Sequence, residues 1–112
     1  MSDKRKILSV IHAITGIRVS IGEIEIQHAL KHFLIPQIKL LEIIEQVLLD
    51  PTEVYEEGAK NNKNFYLFYR LEGGRYLVAV VKAVDQEAHF VTIYPTGDKI
   101  KNKHKGMKKV NI

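Results

Sequence analysis

The chain has 112 residues, of which 46% are hydrophobic, and this is enough to build one globular domain with its own core. It contains no cysteine, which excludes disulfide bridges and thiolate chemistry, and no apolar run approaches the roughly 18 residues of a membrane span. The net charge of +4 comes from the C-terminal end, where six lysines and one acid follow Gly97. We therefore expect a single cytoplasmic domain over residues 1–112, with no membrane attachment.

The N-terminal segment predicts a helix. Apolar residues recur at helical spacing from Ile7 to Ile14, and Gly16 is a natural stop. We predict a helix from Asp3 to about Thr15, as an extra element within residues 1–18.

Residues 20–50 predict two further helices. Ser20-Ile21-Gly22-Glu23 has the pattern of a capping box, which favours a helix from Ile21 to about Leu34. Pro36 suits the first turn of the next helix, and Asp50-Pro51 ends it. The polar segment 52–63 is interpreted as a loop.

Residues 64–112 predict a sheet followed by a basic tail. Strands are expected at 64–71, 75–84 and 89–95, with hairpin turns at Gly73-Gly74 and Gln86-Glu87 and a weaker strand within 100–110. The expected fold class is α+β, with N-terminal helices packed on one face of a C-terminal antiparallel β-meander of three to four strands.

The two turns also predict which residues share a face of the sheet, since side chains alternate along a strand. The face expected to pack on the helices carries Phe65, Leu67, Tyr69, Leu71, Tyr76, Val78, Val80, Val91 and Ile93. The opposite face carries Tyr66, Phe68, Arg70, Leu77, Ala79, Val81, Phe90, Thr92 and Tyr94. A slip of one residue in either hairpin would exchange these sets.

Two histidines are the first candidates for chemistry. His28 and His32 lie four residues apart, on one face of the predicted helix. They can be surface or packing residues, metal ligands, or a general acid and base. Metal binding is the least favoured, because no glutamate follows His28, no third ligand is apparent, and Lys31 adds positive charge.

Polar groups of the predicted sheet are the second set of candidates. Tyr66, Arg70, Thr92 and Tyr94 are typical of an ordinary solvent-exposed sheet face, and equally of a phosphate- and base-binding surface. The lysine-rich tail is either a solvated segment or a patch that attracts a polyanion such as RNA.

The order of these features resembles a known superfamily. A helix with histidine, a helix ending at Asp50-Pro51, and a meander with Thr92-Ile93-Tyr94-Pro95 resemble the barnase, EndoU, colicin and RelE superfamily of metal-independent ribonucleases, in its phage- and toxin-associated branches. The resemblance spans about Glu25 to Lys101. Lys31-His32 matches the basic-plus-histidine pair, with His28 as the other candidate, and Thr92 and Tyr94 match the hydroxyl and aromatic positions.

The resemblance implies a toxin-type endoribonuclease that needs no cofactor or metal, with RNA (tRNA being one candidate) and a cognate inhibitor protein as partners. A histidine would take the proton from a ribose 2′-hydroxyl, which attacks phosphorus and yields a 2′,3′-cyclic phosphate. The predicted catalytic residues are His28, His32, Lys31, Arg70, Thr92 and Tyr94. The predicted RNA contacts are Tyr66, Lys82, Lys99, Lys101, Lys103, His104 and Lys105.

The main rival prediction is a non-catalytic nucleic-acid- or protein-binding module of phage or mobile-element origin. It would use the same basic tail and aromatic sheet face. Geometry separates the two predictions, because an enzyme should bring His28 or His32 close to Arg70, Thr92 or Tyr94, whereas a binding module has no need to do so.

Overall fold

The computed structural model describes residues 6–60, 63–84, 87–97 and 107–112. These residues form seven strands and two helices. In chain order the elements are β1 (Ile7–His12), β2 (Arg18–Gly22), α1 (Glu23–Leu30), α2 (Gln37–Leu49), β3 (Glu53–Lys60), β4 (Lys63–Glu72), β5 (Arg75–Val84), β6 (Glu87–Thr96) and β7 (Lys108–Val110).

The strands make one mixed sheet in the order β1-β2-β6-β5-β4-β3-β7. All neighbours are antiparallel except β2 and β6, which run parallel. The expected fold class is therefore wrong, because the helices are not N-terminal and the sheet is mixed and has seven strands instead of being a meander of three to four. The helices are inserted between a β-hairpin and a meander, and the hairpin joins the meander's sheet.

The N-terminal helix prediction is wrong, because residues 7–12 form β1 and pair with β2. Gly16 adopts a φ of +88°, and its left-handed backbone lets the chain turn back between the two strands. The apolar spacing suits either structure, but most of the apolar residues are β-branched, which favours a strand. Ile11 and Ala13 are buried whereas His12 is exposed, and this alternation is that of a strand.

The loop prediction for residues 52–63 is also wrong, because Glu53–Lys60 is β3. This strand pairs with β4 on one side and with the short β7 on the other. Its sequence is polar because few of its side chains enter the core, and Val54 is the fully buried one among the described side chains.

Both later helices are confirmed, with shifted ends. α1 begins after Gly22 with no side-chain cap, because Ser20 belongs to β2 instead of a capping box. α2 begins after Pro36 and ends before Asp50, as the sequence indicates. Within the described part of the chain, neither helix is long and apolar enough to cross a membrane.

The first hairpin is confirmed and the second is shifted. Glu72 pairs with Arg75, and Gly73 and Gly74 take φ values of +56° and +83°, as a tight two-residue turn requires. In the second hairpin Val84 pairs with Glu87, whereas the expected turn at Gln86-Glu87 would pair it with His89, so the register differs by two residues. A β-bulge then lies opposite Val80 and Val81, so that the pairing changes phase within β6.

The helices cover one face of the sheet, which we call the helix side. Ile26 and Ala29 of α1 and Leu40, Ile44, Val47 and Leu48 of α2 are buried in one cluster with the sheet residues Phe68, Ala79, Val81, Phe90 and Ile93. The predicted core face is therefore wrong for β4 and β5. Its residues Leu67, Tyr69 and Val78 form a second cluster on the other side of the sheet, which we call the open face.

Phe68 lies in the middle of the helix-side core and is fully buried. We expect Phe68→Ala to lower the free energy of unfolding by about 3–5 kcal/mol, because it removes a buried ring and leaves a cavity. Urea denaturation of the variant and the wild type measures this loss. Leu71→Ala, on the same strand but half exposed, is the control and should cost much less. Equal losses would contradict this assignment of the core.

Candidate functional site

The two helix histidines lie away from the predicted site. His28 is in α1 and His32 just follows it, and both side chains are exposed. α1 buries Ile26 and Ala29 against the helix side of the sheet, so the two histidines also lie on that side, in what we call the helix layer. Neither imidazole, nor the exposed Lys31 between them, shares the open face with Thr92 and Tyr94.

Thr92 and Tyr94 project from the open face. Their partners across the sheet are Val80 and Val78, and both valines pack in the second cluster. The bulge in β6 causes this orientation of Thr92 and Tyr94. It puts both Phe90 and Ile93 on the helix side although they are three residues apart, so the two neighbours of Ile93 face the other way. The sequence expectation placed Thr92 and Tyr94 beside Tyr66 and Arg70, and the structure separates these pairs.

Arg70 holds elements of the fold together. Its Nη1 donates to the carbonyl oxygen of Asp50 at 2.7 Å and to that residue's carboxylate at 2.9 Å, and its Nε donates to Glu72 at 2.8 Å. These bonds join the end of α2 to β4. Because two carboxylates already engage the guanidinium, its role here is structural, and it does not face Thr92 or Tyr94.

Tyr66 is likewise on the helix side. It pairs with Val81 and packs against the main core. Burial raises the pKa of its hydroxyl, which lies beside Asn64 and Glu56. Its ring is therefore not placed for stacking on a base with Tyr94.

Lys82 is the predicted RNA contact that the structure does place on the open face. The Lys82 Nζ lies over the ring of Phe65, 5.9 Å from the ring centroid. Lys82 pairs with His89 of β6 across the sheet. The predicted contacts Lys99, Lys101, Lys103, His104 and Lys105 lie outside the described residues.

Four tyrosines from four adjacent strands, β3 to β6, meet on the open face. We call them the tyrosine surface: Tyr55, Tyr69, Tyr76 and Tyr94. The ring centroids of Tyr55 and Tyr69 are 5.7 Å apart, those of Tyr69 and Tyr76 are 6.1 Å apart, and both pairs meet edge to face. Tyr69 is buried at the centre, whereas Tyr94 is 37% exposed, so the rim is accessible to a ligand.

Three hydroxyls of the tyrosine surface, those of Tyr55, Tyr69 and Tyr94, have raised pKa values. Burial is the main cause that raises the pKa of Tyr69, and the neighbouring Tyr94, Tyr55 and Glu53 add to it. Burial also raises the pKa of Tyr94 and of Tyr55. At the edge of this surface the Lys109 Nζ of β7 lies 3.5 Å from the Glu53 Oε1, and its positive charge offsets the negative charge of that carboxylate.

A cleft lies on the same face, beyond β6. Ser20 of β2 and His89 of β6 meet there, with 2.9 Å between the Ser20 Oγ and the His89 Nδ1. The Ser20 hydroxyl also donates to the Ala88 carbonyl at 3.2 Å. The cavity has a volume of about 280 Å³ and is lined by Ile7, Val10, Arg18, Ser20, Glu87, Ala88 and His89.

Sequence reasoning missed this cleft. Ser20 and His89 are 69 residues apart, and only the parallel pairing of β2 with β6 brings them together. The local signal at Ser20 was a capping box, which favours a helix start instead of a strand.

Within the described ranges, no three His, Cys, Asp or Glu side chains are placed to hold a metal ion. No protein-family model, curated protein or solved structure matches the chain. The resemblance to the barnase, EndoU, colicin and RelE superfamily therefore stays a prediction.

Alkaline titration tests the buried tyrosine. An unfolded tyrosine ionises near pH 10.0, and the raised pKa of Tyr69 keeps it neutral above that value in the folded chain. Its contribution to stability is therefore complete below pH 10.0 and is lost as the pH rises beyond it. Tyr69→Phe should reduce this alkaline loss in urea denaturation.

Tyr76→Phe is the matched control, because it removes the same hydroxyl from a more exposed ring on the neighbouring strand. A Tyr69→Phe chain that loses stability above pH 10.0 as steeply as the wild type would contradict the burial of that hydroxyl.

Proposed function

We propose that the chain is a non-catalytic RNA-binding module that holds single-stranded RNA on its tyrosine surface. The observation that carries this proposal is the edge-to-face cluster of Tyr55, Tyr69 and Tyr76 on three adjacent strands of the open face, with Tyr94 on the next strand. Bases of single-stranded RNA stack on aromatic side chains, and a sheet can present several such rings at once.

The composition of the second cluster supports this. Its described members come from strands and from Met107, and none comes from a helix. Tyrosine combines a flat ring for stacking with a hydroxyl for hydrogen bonds to phosphate or base. The Tyr94 hydroxyl keeps its proton at neutral pH and can donate, since burial raises its pKa further above the ordinary 10.0.

Positive charge also favours RNA over a protein partner. Lys82 stands on the open face beside Phe65, and Lys109 of β7 pairs with Tyr55 on the same face at the sheet edge, where its Nζ also lies 3.5 Å from Glu53. The segment that joins β6 to β7 in the chain contains four more lysines, at positions 99, 101, 103 and 105. Lysines close to a stacking surface attract the phosphate backbone.

Ribonuclease activity is the second candidate function. One observation favours it, provided that a histidine of the open face acts in place of His28 or His32. His89, Thr92 and Tyr94 all project from β6 on the open face, where RNA would lie. The form that used His28 or His32 has no such support, because both lie in the helix layer. Only a histidine of the open face is placed to approach RNA bound there.

Incubation with total tRNA in EDTA separates the two candidates. A non-catalytic module should produce no 2′,3′-cyclic phosphate ends. Cleavage that is lost in His89→Ala, but kept in the double variant His28→Ala/His32→Ala, would establish the ribonuclease and overturn the non-catalytic proposal.

Tyr94→Ala tests the RNA surface directly. We expect its affinity for a fluorescent single-stranded oligoribonucleotide to fall roughly tenfold, because loss of one stacked base costs about 1–3 kcal/mol. Fluorescence anisotropy measures the affinity. The wild-type affinity should also fall as salt is raised, with a slope of about −0.7 for each phosphate contacted.

The control is His28→Ala, which removes an exposed ring from the helix layer and should bind RNA like the wild type. Unchanged affinity in Tyr94→Ala, or an equal loss in both variants, would count against the tyrosine surface.

A further inference from the structure

The cleft beside β6 opens on the same side of the sheet as the tyrosine surface. Val19 and Ile21 flank Ser20 and are buried in the helix-side core, so the Ser20 side chain points to the open face. Ala88 and Phe90 flank His89 and are buried in the same core, so the same argument applies to its ring. A strand of RNA on the open face could therefore reach both sites.

The two contacts of the Ser20 Oγ, to the Ala88 carbonyl and to the His89 ring, are hydrogen bonds at the same time in only one arrangement of the hydrogens. The Ser20 hydroxyl has one hydrogen, which it donates to the Ala88 carbonyl. In that arrangement the 2.9 Å contact with Nδ1 is made by a ring N–H that donates to the Ser20 oxygen. A neutral ring then carries its hydrogen on Nδ1 and leaves Nε2 as an acceptor.

The two charge states of the ring thus offer different hydrogen bonds to an anion in this cleft. The neutral ring presents a lone pair at Nε2 and cannot donate to a phosphate oxygen from that atom. The imidazolium keeps the bond to Ser20 and has an N–H at Nε2 as well. An anion that accepts a hydrogen bond at Nε2 therefore favours the ring that carries a hydrogen on that atom.

The surrounding charges suit a single phosphate group. Arg18 lines the cavity, and its guanidinium matches phosphate oxygens with a planar fork of donors. Glu87 opposes it, while Ile7 and Val10 are apolar. Other charged or titratable groups near the ring or beside Arg18 are Lys82 of β5, Glu25 of α1 and His12 of β1.

We propose that this cleft binds a phosphodiester group of the RNA through Arg18 and the imidazolium of His89, with Ser20 as the positioning residue. The cavity of about 280 Å³ is near the lower end of ligand pockets, about 300 Å³, which fits one phosphate and part of its sugar. The proposal rests on the proposed function, because it adds a phosphate subsite to the same RNA surface.

The test uses the full chain and the dinucleotide UpU, whose one phosphodiester charge does not change in the range tested. Binding is followed by NMR of the ¹⁵N-labelled histidine rings, between about pH 5 and pH 8, the range in which an imidazole changes charge. UpU should shift the His89 ring signals and bind roughly tenfold or more tightly at the acidic end, because a hydrogen bond to a charged group forms there.

Three variants make the test specific. His89→Asn can still donate to Ser20 but does not titrate, so its UpU affinity should not depend on pH. Ser20→Ala frees the neutral ring to carry its hydrogen on Nε2, so binding at about pH 8 should strengthen and the pH dependence should flatten. His28→Ala, in the helix layer, should keep the wild-type pH dependence.

A His89→Asn chain with the wild-type pH dependence would overturn the proposal, as would a neutral ring protonated at Nε2. So would oligoribonucleotide binding at the tyrosine surface with no UpU effect at His89, which would leave the proposed function intact. UpU binding at His89 with no loss of oligoribonucleotide affinity in Tyr94→Ala would support the subsite and overturn the tyrosine surface.

Discussion

Strands β4 and β5 are apolar on both faces, and the two helices cover only one of them. Phe68 and Val81 on the helix side and Tyr69 and Val78 on the open side are all buried. On the helix side the burial comes from α1 and α2, whereas on the open side the tyrosines and their neighbours cover one another. This asymmetry produces a face that is apolar at its centre, hydroxyl-bearing at its rim and accessible to a flat ligand.

The same asymmetry explains why the two faces of the sheet were predicted wrongly from the sequence. Alternation shows which residues share a face, and the Gly73-Gly74 hairpin set the register of β4 against β5 correctly. With apolar side chains on both faces, however, hydropathy cannot show which face meets the helices. In β6 the bulge opposite Val80 and Val81 changes the phase, and nothing local in the sequence marks it.

The N-terminal hairpin was predicted wrongly because its fold depends on a distant strand. Its apolar spacing fits a helix, but its β-branched residues fit a strand, and the strand is stabilised by a partner far along the chain. Pairing of β2 with β6 is a tertiary contact that local patterns do not carry. Because the Ser20–His89 cleft depends on that pairing, it could not be found without the fold. By contrast, α1 and α2 could be predicted from their apolar stripes, and the ends of α2 from Pro36 and Asp50-Pro51.

In the proposed function, single-stranded RNA contacts the tyrosine surface and leaves α1 and its histidines free. Mapping of NMR chemical-shift changes during titration with an unlabelled single-stranded oligoribonucleotide tests it most directly. We expect the perturbed residues to include Tyr55, Tyr76 and Tyr94, with His28 and His32 unaffected. Perturbations confined to α1 and its histidines, or no perturbation at all, would rule out RNA binding at the tyrosine surface.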